Sequence, residues 1–189
     1  MSVDLRVDWC DYQAAKYAVM HWHYSKAMPA GKTAKMGVWE DDRFVGAVLY
    51  SWGANNNIGK PYGLKQVEVC ELVRVALTKH ESPVSQVVST TVRMLKVKSP
   101  GLRLIVSYAD SKENHHGGIY QAMNWIYAGY AMDDFVMING AVVHPRSVVS
   151  KYGTRSITWL QTNVDRSASR VEARPKHRYL YPLDRAMRK

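Results

Sequence analysis

Leu102-Arg103-Leu104-Ile105-Val106-Ser107-Tyr108-Ala109-Asp110 is the stretch on which the reading of this chain turns. It opens as an apolar run and closes on a serine, a tyrosine and a carboxylate. A polar loop then carries His115-His116-Gly117-Gly118, and a helical pattern begins at Ile119-Tyr120-Gln121-Ala122. Strand, carboxylate, histidines, glycine pair and helix follow in that order. In open α/β sheets, ligands bind outside the carboxyl ends of strands, and reactive side chains collect there. Asp110 falls at that edge and Tyr120 on the first turn of the helix that follows. Singly, Asp110 reads as a turn opener and Tyr120 as a packing residue. Together they mark a catalytic site.

Upstream, Ser82-Pro83 reads as a helix start, with Ser82 as N-cap and Pro83 at the first helical position. Val84, Val87, Val88, Thr91 and Leu95 then recur at helical spacing. Before this helix, residues 66–77 form a strand in which Val67, Val69, Val73, Val75 and Leu77 share one face. Period-two counting puts Glu71 on that apolar face and Arg74 on the opposite one. A buried carboxylate is costly without a partner, so a β-bulge near Glu71 or a cationic neighbour is expected. Residues 36–40 and 44–52 read as a hairpin joined at Asp41-Asp42, and the apolar run at 44–49 marks an inner strand. Asp11 caps a first helix over residues 12–22, with Ala14, Ala15, Ala18 and Val19 as its compact face.

Downstream, Ile119, Met123, Ile126 and Tyr127 form the inner face of a helix over residues 118–128, stopped by Gly129. Residues 130–138 and 141–143 form a closing hairpin turned at Asn139-Gly140. Residues 148–152 and 159–164 read as short helices, and 179–181 as a short edge strand. The fold class is α/β, a central mixed sheet flanked by helices. Residues 1–165 make one catalytic domain, and 166–189 a basic C-terminal segment that packs on it or extends it.

A length of 189 residues, with 47% hydrophobic and 22% charged side chains, suits one soluble domain with its own core. No apolar run reaches the length of a membrane span, and Met1-Ser2-Val3-Asp4 opens no signal-peptide pattern. The only cysteines, Cys10 and Cys70, have no metal-ligand spacing, which fits a reduced, cytoplasmic protein with Cys70 as an inert buried thiol. The net charge is +10, and residues 166–189 hold eight basic side chains against Glu172 and Asp184. Such an excess favours a polyanion, because neutralising phosphates releases counterions. The tail also offers His177, Tyr179 and Tyr181 for stacking on bases. Charge alone does not separate DNA from RNA.

The order hairpin, strand, helix, strand, helix, hairpin resembles the GNAT acyltransferase fold, in which an acyl-coenzyme A lies between the two middle strands. The matching elements are residues 66–77, 83–98, 102–109 and 118–128. The resemblance implies a diphosphate seat at the start of the helix after the first of those strands, where orphan amides and the helix dipole hold anions. Here that loop is Thr78-Lys79-His80-Glu81-Ser82-Pro83. It lacks the glycine-rich, arginine-bearing signature of ordinary GNAT enzymes, and Pro83 removes one amide donor. Lys79, His80, Ser82 and Ser85 offer other contacts. Tyr120 matches the tyrosine that, in many such enzymes, protonates the leaving thiolate.

A closer resemblance, over most of the chain, is to the Mom family of phage DNA-modification proteins. It rests on His23-Tyr24-Ser25, Glu71-Leu72-Val73-Arg74-Val75, Ser107-Tyr108-Ala109-Asp110, the 117–125 segment and Lys176-His177-Arg178-Tyr179. It implies conversion of adenine in double-stranded DNA to N6-carbamoylmethyladenine, which blocks restriction, in the cytoplasm of a phage host. Carried over, Asp110 and Tyr24 would be central to catalysis with His23 beside them. Arg74 would hold cofactor or phosphate, and Tyr120 would act at an acetyl-coenzyme A donor. Adenine N6 is a poor nucleophile that must be oriented and relieved of a proton, a task suited to Asp110. Its base must also leave the duplex and stack, with Tyr24, Trp22, Tyr108 and Trp52 as candidate walls.

The family product joins nitrogen to a methylene and ends in an amide, which thioester aminolysis alone does not make. A redox metal such as iron is one source of the further activation, and His21, His23, Tyr24, His115, His116 and Asp110 are suitable ligand types. Two other readings stand beside this one. One is an ordinary N-acetyltransferase of a small amine, protein or RNA, with Glu71 as base. The other is a non-catalytic DNA-binding protein on the same scaffold. The exposed aromatics and basic tail are compatible with a homodimer that cradles DNA.

Overall fold

The computed structural model describes residues 3–53, 57–110, 117–131, 135–171 and 176–188. In chain order its elements are β1 (Leu5–Trp9), α1 (Tyr12–Trp22), β2 (Thr33–Glu40), β3 (Arg43–Ser51), β4 (Val69–Leu77), α2 (Val84–Lys98) and β5 (Leu104–Asp110). There follow α3 (Gly118–Ala122), β6 (Ile126–Ala131), β7 (Phe135–Ile138), β8 (Ala141–Val143), α4 (Pro145–Tyr152), α5 (Ile157–Asn163), β9 (Ser169–Val171) and β10 (Lys176–Pro182). Seven strands form one sheet in the order β1-β2-β3-β4-β5-β10-β6, and three form another, β8-β7-β9. Pairing is antiparallel from β1 to β4 and parallel between β4 and β5. The larger sheet is therefore mixed, with helices on both faces, as the α/β reading expects. Among the described residues no helix is long and apolar enough to cross a membrane.

Local chemistry starts each element. The Asp11 carboxylate accepts the Ala14 amide hydrogen at 2.7 Å and begins α1. Ala15, Ala18 and Val19 are fully buried against Ala47, Leu49 and Ala76, and these small residues let the helix lie close on the sheet. On the other face Val87, Val88, Val92 and Leu95 of α2 close over Val48, Tyr50, Cys70 and Leu72. Inside that core the Tyr50 hydroxyl donates to Thr91 Oγ1 at 2.7 Å, and Thr91 donates its own hydrogen to the Val88 carbonyl at 2.8 Å. Both of these buried hydroxyls are thus satisfied. Burial pushes the Cys70 thiol up, consistent with an inert side chain. Asp41 and Asp42 both take positive φ, 47° and 64°, which matches the twist of a two-residue hairpin turn.

Several expectations are corrected. β1 was not foreseen; it runs antiparallel along β2. The strand expected from residue 66 begins at Val69, because Gln66–Glu68 is a 3-10 turn. Pro83, not Ser82, sits at the N-cap position of α2. The helix expected over 118–128 stops at Ala122, since Asn124 takes φ 56° and turns the chain into β6. Ile126 and Tyr127, expected on an inner face, are exposed, and Tyr120 and Trp125 take the core positions. β10 is an inner strand between β5 and β6 rather than an edge. Its Tyr179 is 4% exposed and its Tyr181 packs on Trp125 at 5.2 Å, so these tyrosines are core residues and not stacking platforms. The closing hairpin is present as β7 and β8 around Asn139-Gly140, but residues 130 and 131 belong to β6.

The chain groups into two compact units. The first comprises Met1–Ala109, Gly117–Ala128 and Arg178–Lys189, and the second Asp110–His116 and Gly129–His177. The second has its own core of Val136, Ile138, Val148, Leu160 and Ala168. Within it, Asp165 accepts from the Asn139 amide at 2.6 Å and from the Ser167 amide and hydroxyl at 2.8 and 2.6 Å.

In the first unit a carboxylate ties the β2–β3 hairpin to α2. Glu40 is 3% exposed, and its oxygens accept the Ser82 amide at 2.7 Å and the Glu81 amide at 3.0 and 3.1 Å. The Ser82 hydroxyl adds a further hydrogen bond. Burial pushes the Glu40 carboxyl up, but these hydrogen bonds outweigh it and hold the group below its ordinary value. A depressed acid stabilises the fold above its unfolded pKa, and that contribution is lost as pH falls through the folded pKa. Glu40→Gln is expected to cost about 1–2 kcal/mol at neutral pH. It should also flatten the loss of stability that the parent shows below about pH 4.3. Urea unfolding midpoints across that range check both; a variant with the parent's acid slope would remove Glu40 from the account.

Candidate active site at the β4–β5 splay

β3 and β4 pair with Leu49 opposite Arg74 and Tyr50 opposite Leu72, which leaves Val73 as an extra residue on β4. This is the expected bulge, placed at Val73, and it resets the pleat. Glu71, opposite Ser51, and Arg74, opposite Leu49, therefore project to the same face of the sheet. Simple alternation had put them on opposite faces. Parallel pairing of β4 with β5 runs from Val69–Leu104 to Leu72–Ser107 and stops there. β4 continues to Leu77 and β5 to Asp110 without pairing to each other, which makes the cleft expected between the two middle strands.

Ser107 stands where the pairing ends. Its fully buried hydroxyl donates to the Leu72 carbonyl at 2.8 Å, so the 2.8 Å contact with Tyr120 is one in which the Tyr120 hydroxyl donates. Burial pushes the Tyr120 phenol up to about 12; the Ser107 hydrogen bond opposes this, and Tyr24 and Glu71 add to the rise. The Tyr120 ring stacks on Tyr179 at 4.9 Å with 27° between planes. Gly117 closes that stack: at φ 71°, any Cβ would overlap the Tyr179 ring.

On the other side of β4, Arg74 Nε and Nη2 donate to the Ala27 carbonyl at 3.2 and 3.1 Å, and Nη1 donates to the Val73 carbonyl at 2.7 Å. Burial lowers the Arg74 pKa, while Tyr24 and Glu71 pull it back up. Arg74 thus fastens the segment after α1, the one carrying His23 and Tyr24, onto β4. His23 is 8% exposed, and its Nδ1 accepts the Ser25 amide at 3.1 Å, which puts the hydrogen of a neutral ring on Nε2. The Tyr24 ring packs on His23 at 4.3 Å and is 47% exposed.

The structure accordingly gathers Tyr24, Glu71, Arg74 and Tyr120 into one electrostatic neighbourhood. Asp110 is the last residue of β5 and falls in the second unit. Other expected residues lie elsewhere. His21 Nδ1 donates to the Tyr17 carbonyl at 2.8 Å at the end of α1. Trp22 packs on Phe44 at 5.8 Å beneath α1. Trp52 lines a separate pocket of about 280 Å³ with Tyr50, Cys70 and Leu102. Tyr108 packs beside Tyr62 and Leu180. His115 and His116 lie outside the described residues. No three His, Cys, Asp or Glu side chains cluster in a way that could hold a metal ion among the described residues, so iron finds no support.

The cofactor the fold implies fits better in one part than in another. Beyond Leu72 and Ser107 the strand edges that no longer pair with each other suit the amide-bearing arm of an acyl thioester. The diphosphate seat fits less well: the Glu81 and Ser82 amides just ahead of α2 are engaged by Glu40, and Pro83 has no N–H. Ser82 is buried against Glu40, Lys79 is exposed, and Ser85 is half-buried on the first turn of α2. The sequence reading gives Ser107 no role of its own, takes Tyr179 as a base-stacking residue, and passes over Glu40. A lone serine in an apolar strand was the only signal for the first, and Glu40 looked like a hairpin end.

Comparison with known proteins bears on this geometry. The Bacillus subtilis acetyltransferase solved in complex with CoA superimposes with a TM-score of 0.55 at 12% identity, covering 97% of this chain and 100% of that one. An N-acyl amino acid synthase from uncultured soil microbes gives 0.55 at 13% identity, covering 97% and 92%. A Drosophila melanogaster polyamine N-acetyltransferase gives 0.56 at 7%, covering 95% and 100%. These likenesses show the GNAT fold. In sequence, the methylcarbamoylase mom of Escherichia phage Mu is 24% identical over 194 residues, covering 100% of this chain and 79% of that protein. The model of the Mom protein family matches residues 4–189. The chain belongs to the Mom protein family, built on a GNAT-like mixed sheet.

Proposed function

We propose that this protein modifies DNA, converting adenine to N6-carbamoylmethyladenine as an anti-restriction device of a phage, acting in the host cytoplasm with a donor of the acetyl-coenzyme A class. The observation that carries the reading is the family match over residues 4–189, joined to a strand splay that presents Tyr24, Glu71, Arg74 and Tyr120. The relative from phage Mu is a methylcarbamoylase, which agrees with the product.

The donor supplies a two-carbon unit; the product joins N6 to its methylene carbon and ends in an amide, so simple aminolysis is not the reaction. From an acetyl donor the N6–methylene bond takes a two-electron oxidant, the amide takes a nitrogen donor that displaces the thiol, and both are assigned to co-substrates. Asp110 accepts a hydrogen from N6 and orients its lone pair. The target base leaves the duplex, and the half-exposed Tyr24 ring stacks on it, held in place by the Arg74 clamp on Ala27. Tyr120 stays a neutral phenol at neutral pH and holds its proton on the line through Ser107 to the Leu72 carbonyl. That proton is available to a leaving group when the line rearranges. Double-stranded DNA suits the charge: Lys151, Arg155, Arg166 and Arg170 are exposed on the second unit, whereas Asp165 is engaged by Asn139 and Ser167. An ordinary N-acetyltransferase with Glu71 as base is the second reading, favoured by the polyamine and other acetyltransferases that share the fold.

Two measurements decide. DNA from bacteria expressing the protein, digested to nucleosides, is expected to show a carbamoylmethyl-adenosine mass that vanishes with Asp110→Ala while the variant's melting temperature holds. Full modification by that variant would sink the role of Asp110, and an N6-acetyl product would keep DNA as the substrate but discard the carbamoylmethyl chemistry. Unmodified DNA from folded protein would point to the small-amine transferase or to a binding protein. Tyr120→Phe is expected to lower modification by about 100-fold, yet to cost the fold only about 1 kcal/mol, because Ser107 still donates to Leu72. Wild-type turnover in that variant would reduce Tyr120 to a packing residue.

A further inference from the structure

Helix N-termini hold anions because their first amides lack partners within the helix. In the loop just ahead of α2, two amides are already engaged from inside the molecule. Glu40, arriving from the end of β2, takes the Ser82 amide at 2.7 Å and shares the Glu81 amide between both oxygens at 3.0 and 3.1 Å. The Ser82 hydroxyl also bonds to it, and Arg43 Nη2 stands 3.7 Å from the same carboxylate. His80 does not face outward as an anion ligand; its Nδ1 donates to the Ser82 carbonyl at 2.9 Å. Pro83 contributes no donor. A diphosphate approaching these amides would meet a buried negative charge that has the same hydrogen bonds.

Resting on the acyl-donor reading above, we propose that Glu40 sets a resident carboxylate on the loop amides beside the anion seat at α2, so that this enzyme selects its donor by thioester and arm and not by the diphosphate. The inference separates this chain from the cofactor grip its fold implies. It also makes Glu40 a specificity-determining residue although it lies away from the reacting atoms. The strand edges beyond Leu72 and Ser107 stay open to the arm, so the two halves of such a donor are treated differently by this chain.

The test is calorimetric binding of acetyl-coenzyme A, S-acetylpantetheine and inorganic pyrophosphate to the full chain and to Glu40→Gln. In the parent the two thioesters are expected to bind within about fivefold of each other, and pyrophosphate not at all. Glu40→Gln is expected to bind pyrophosphate and to gain about tenfold for acetyl-coenzyme A, with S-acetylpantetheine unchanged; both gains correspond to loss of a competing charge worth about 1.4 kcal/mol per decade. Glu40→Asp, which keeps the charge but withdraws it, serves if the amide variant is unstable and should behave in the same direction. A parent that prefers acetyl-coenzyme A by about a hundredfold would overturn the proposal. So would a variant in which neither pyrophosphate nor acetyl-coenzyme A binding moves. If neither thioester binds the parent, the donor reading fails, and pyrophosphate binding by the variant alone still decides the role of Glu40.

Discussion

One extra residue, Val73, sets the geometry on which the site depends. Without it β4 would keep its pleat, Arg74 would face α2, and Glu71 would face a sheet side without it. With it, the cation and the carboxylate share a face, and the pairing with β5 ends at Leu72 and Ser107. A bulge forfeits ladder hydrogen bonds and increases local twist. Here the strand that carries the bulge against β3 also parts from β5 beyond Leu72. Ser107 covers part of the deficit by giving its hydroxyl hydrogen to the Leu72 carbonyl, and in accepting from Tyr120 it fixes which way that phenol points. Backbone irregularity, serine and tyrosine thus form one unit, and none of the three has the same meaning without the others.

Arg74 shows how the same irregularity reaches the neighbouring segment. Its guanidinium donates to two backbone carbonyls, at Ala27 and Val73, and its planar fork suits such a clamp better than a lysine would. The side chain that the family likeness assigns to a ligand is, in this arrangement, a fastening for the turn after α1. Tyr24 owes its position to that fastening and to the His23 ring on which it packs.

Much of this was legible in the amino-acid order. The Asp11 cap, the Asp41-Asp42 turn, the inner strand of the first hairpin and the valine-lined α2 all follow from local chemistry that acts within a few residues. The bulge was foreseen from the cost of burying Glu71, but not its position, because the register depends on β3 and not on β4 alone. The short α3 was missed because Met123, Ile126 and Tyr127 keep helical spacing while Asn124 takes a left-handed turn that few residue types tolerate. Tyr179 and Tyr181 read as tail aromatics because nothing local says that β10 inserts between β5 and β6. The placement of side chains from distant strands is tertiary information, and periodicity does not carry it.

The Glu40 clamp has a consequence for how the chain folds. Glu40 ends β2 and Arg43 begins β3, on either side of a turn with two left-handed residues. A slip of one residue in that hairpin would swing the carboxylate to the opposite face, and the start of α2 would lose its acceptor. The contact joins residues 42 apart in sequence, and it requires the hairpin in its native register. The contact therefore couples hairpin register to the seating of α2: a misregistered sheet leaves the Glu81 and Ser82 amides without their acceptor.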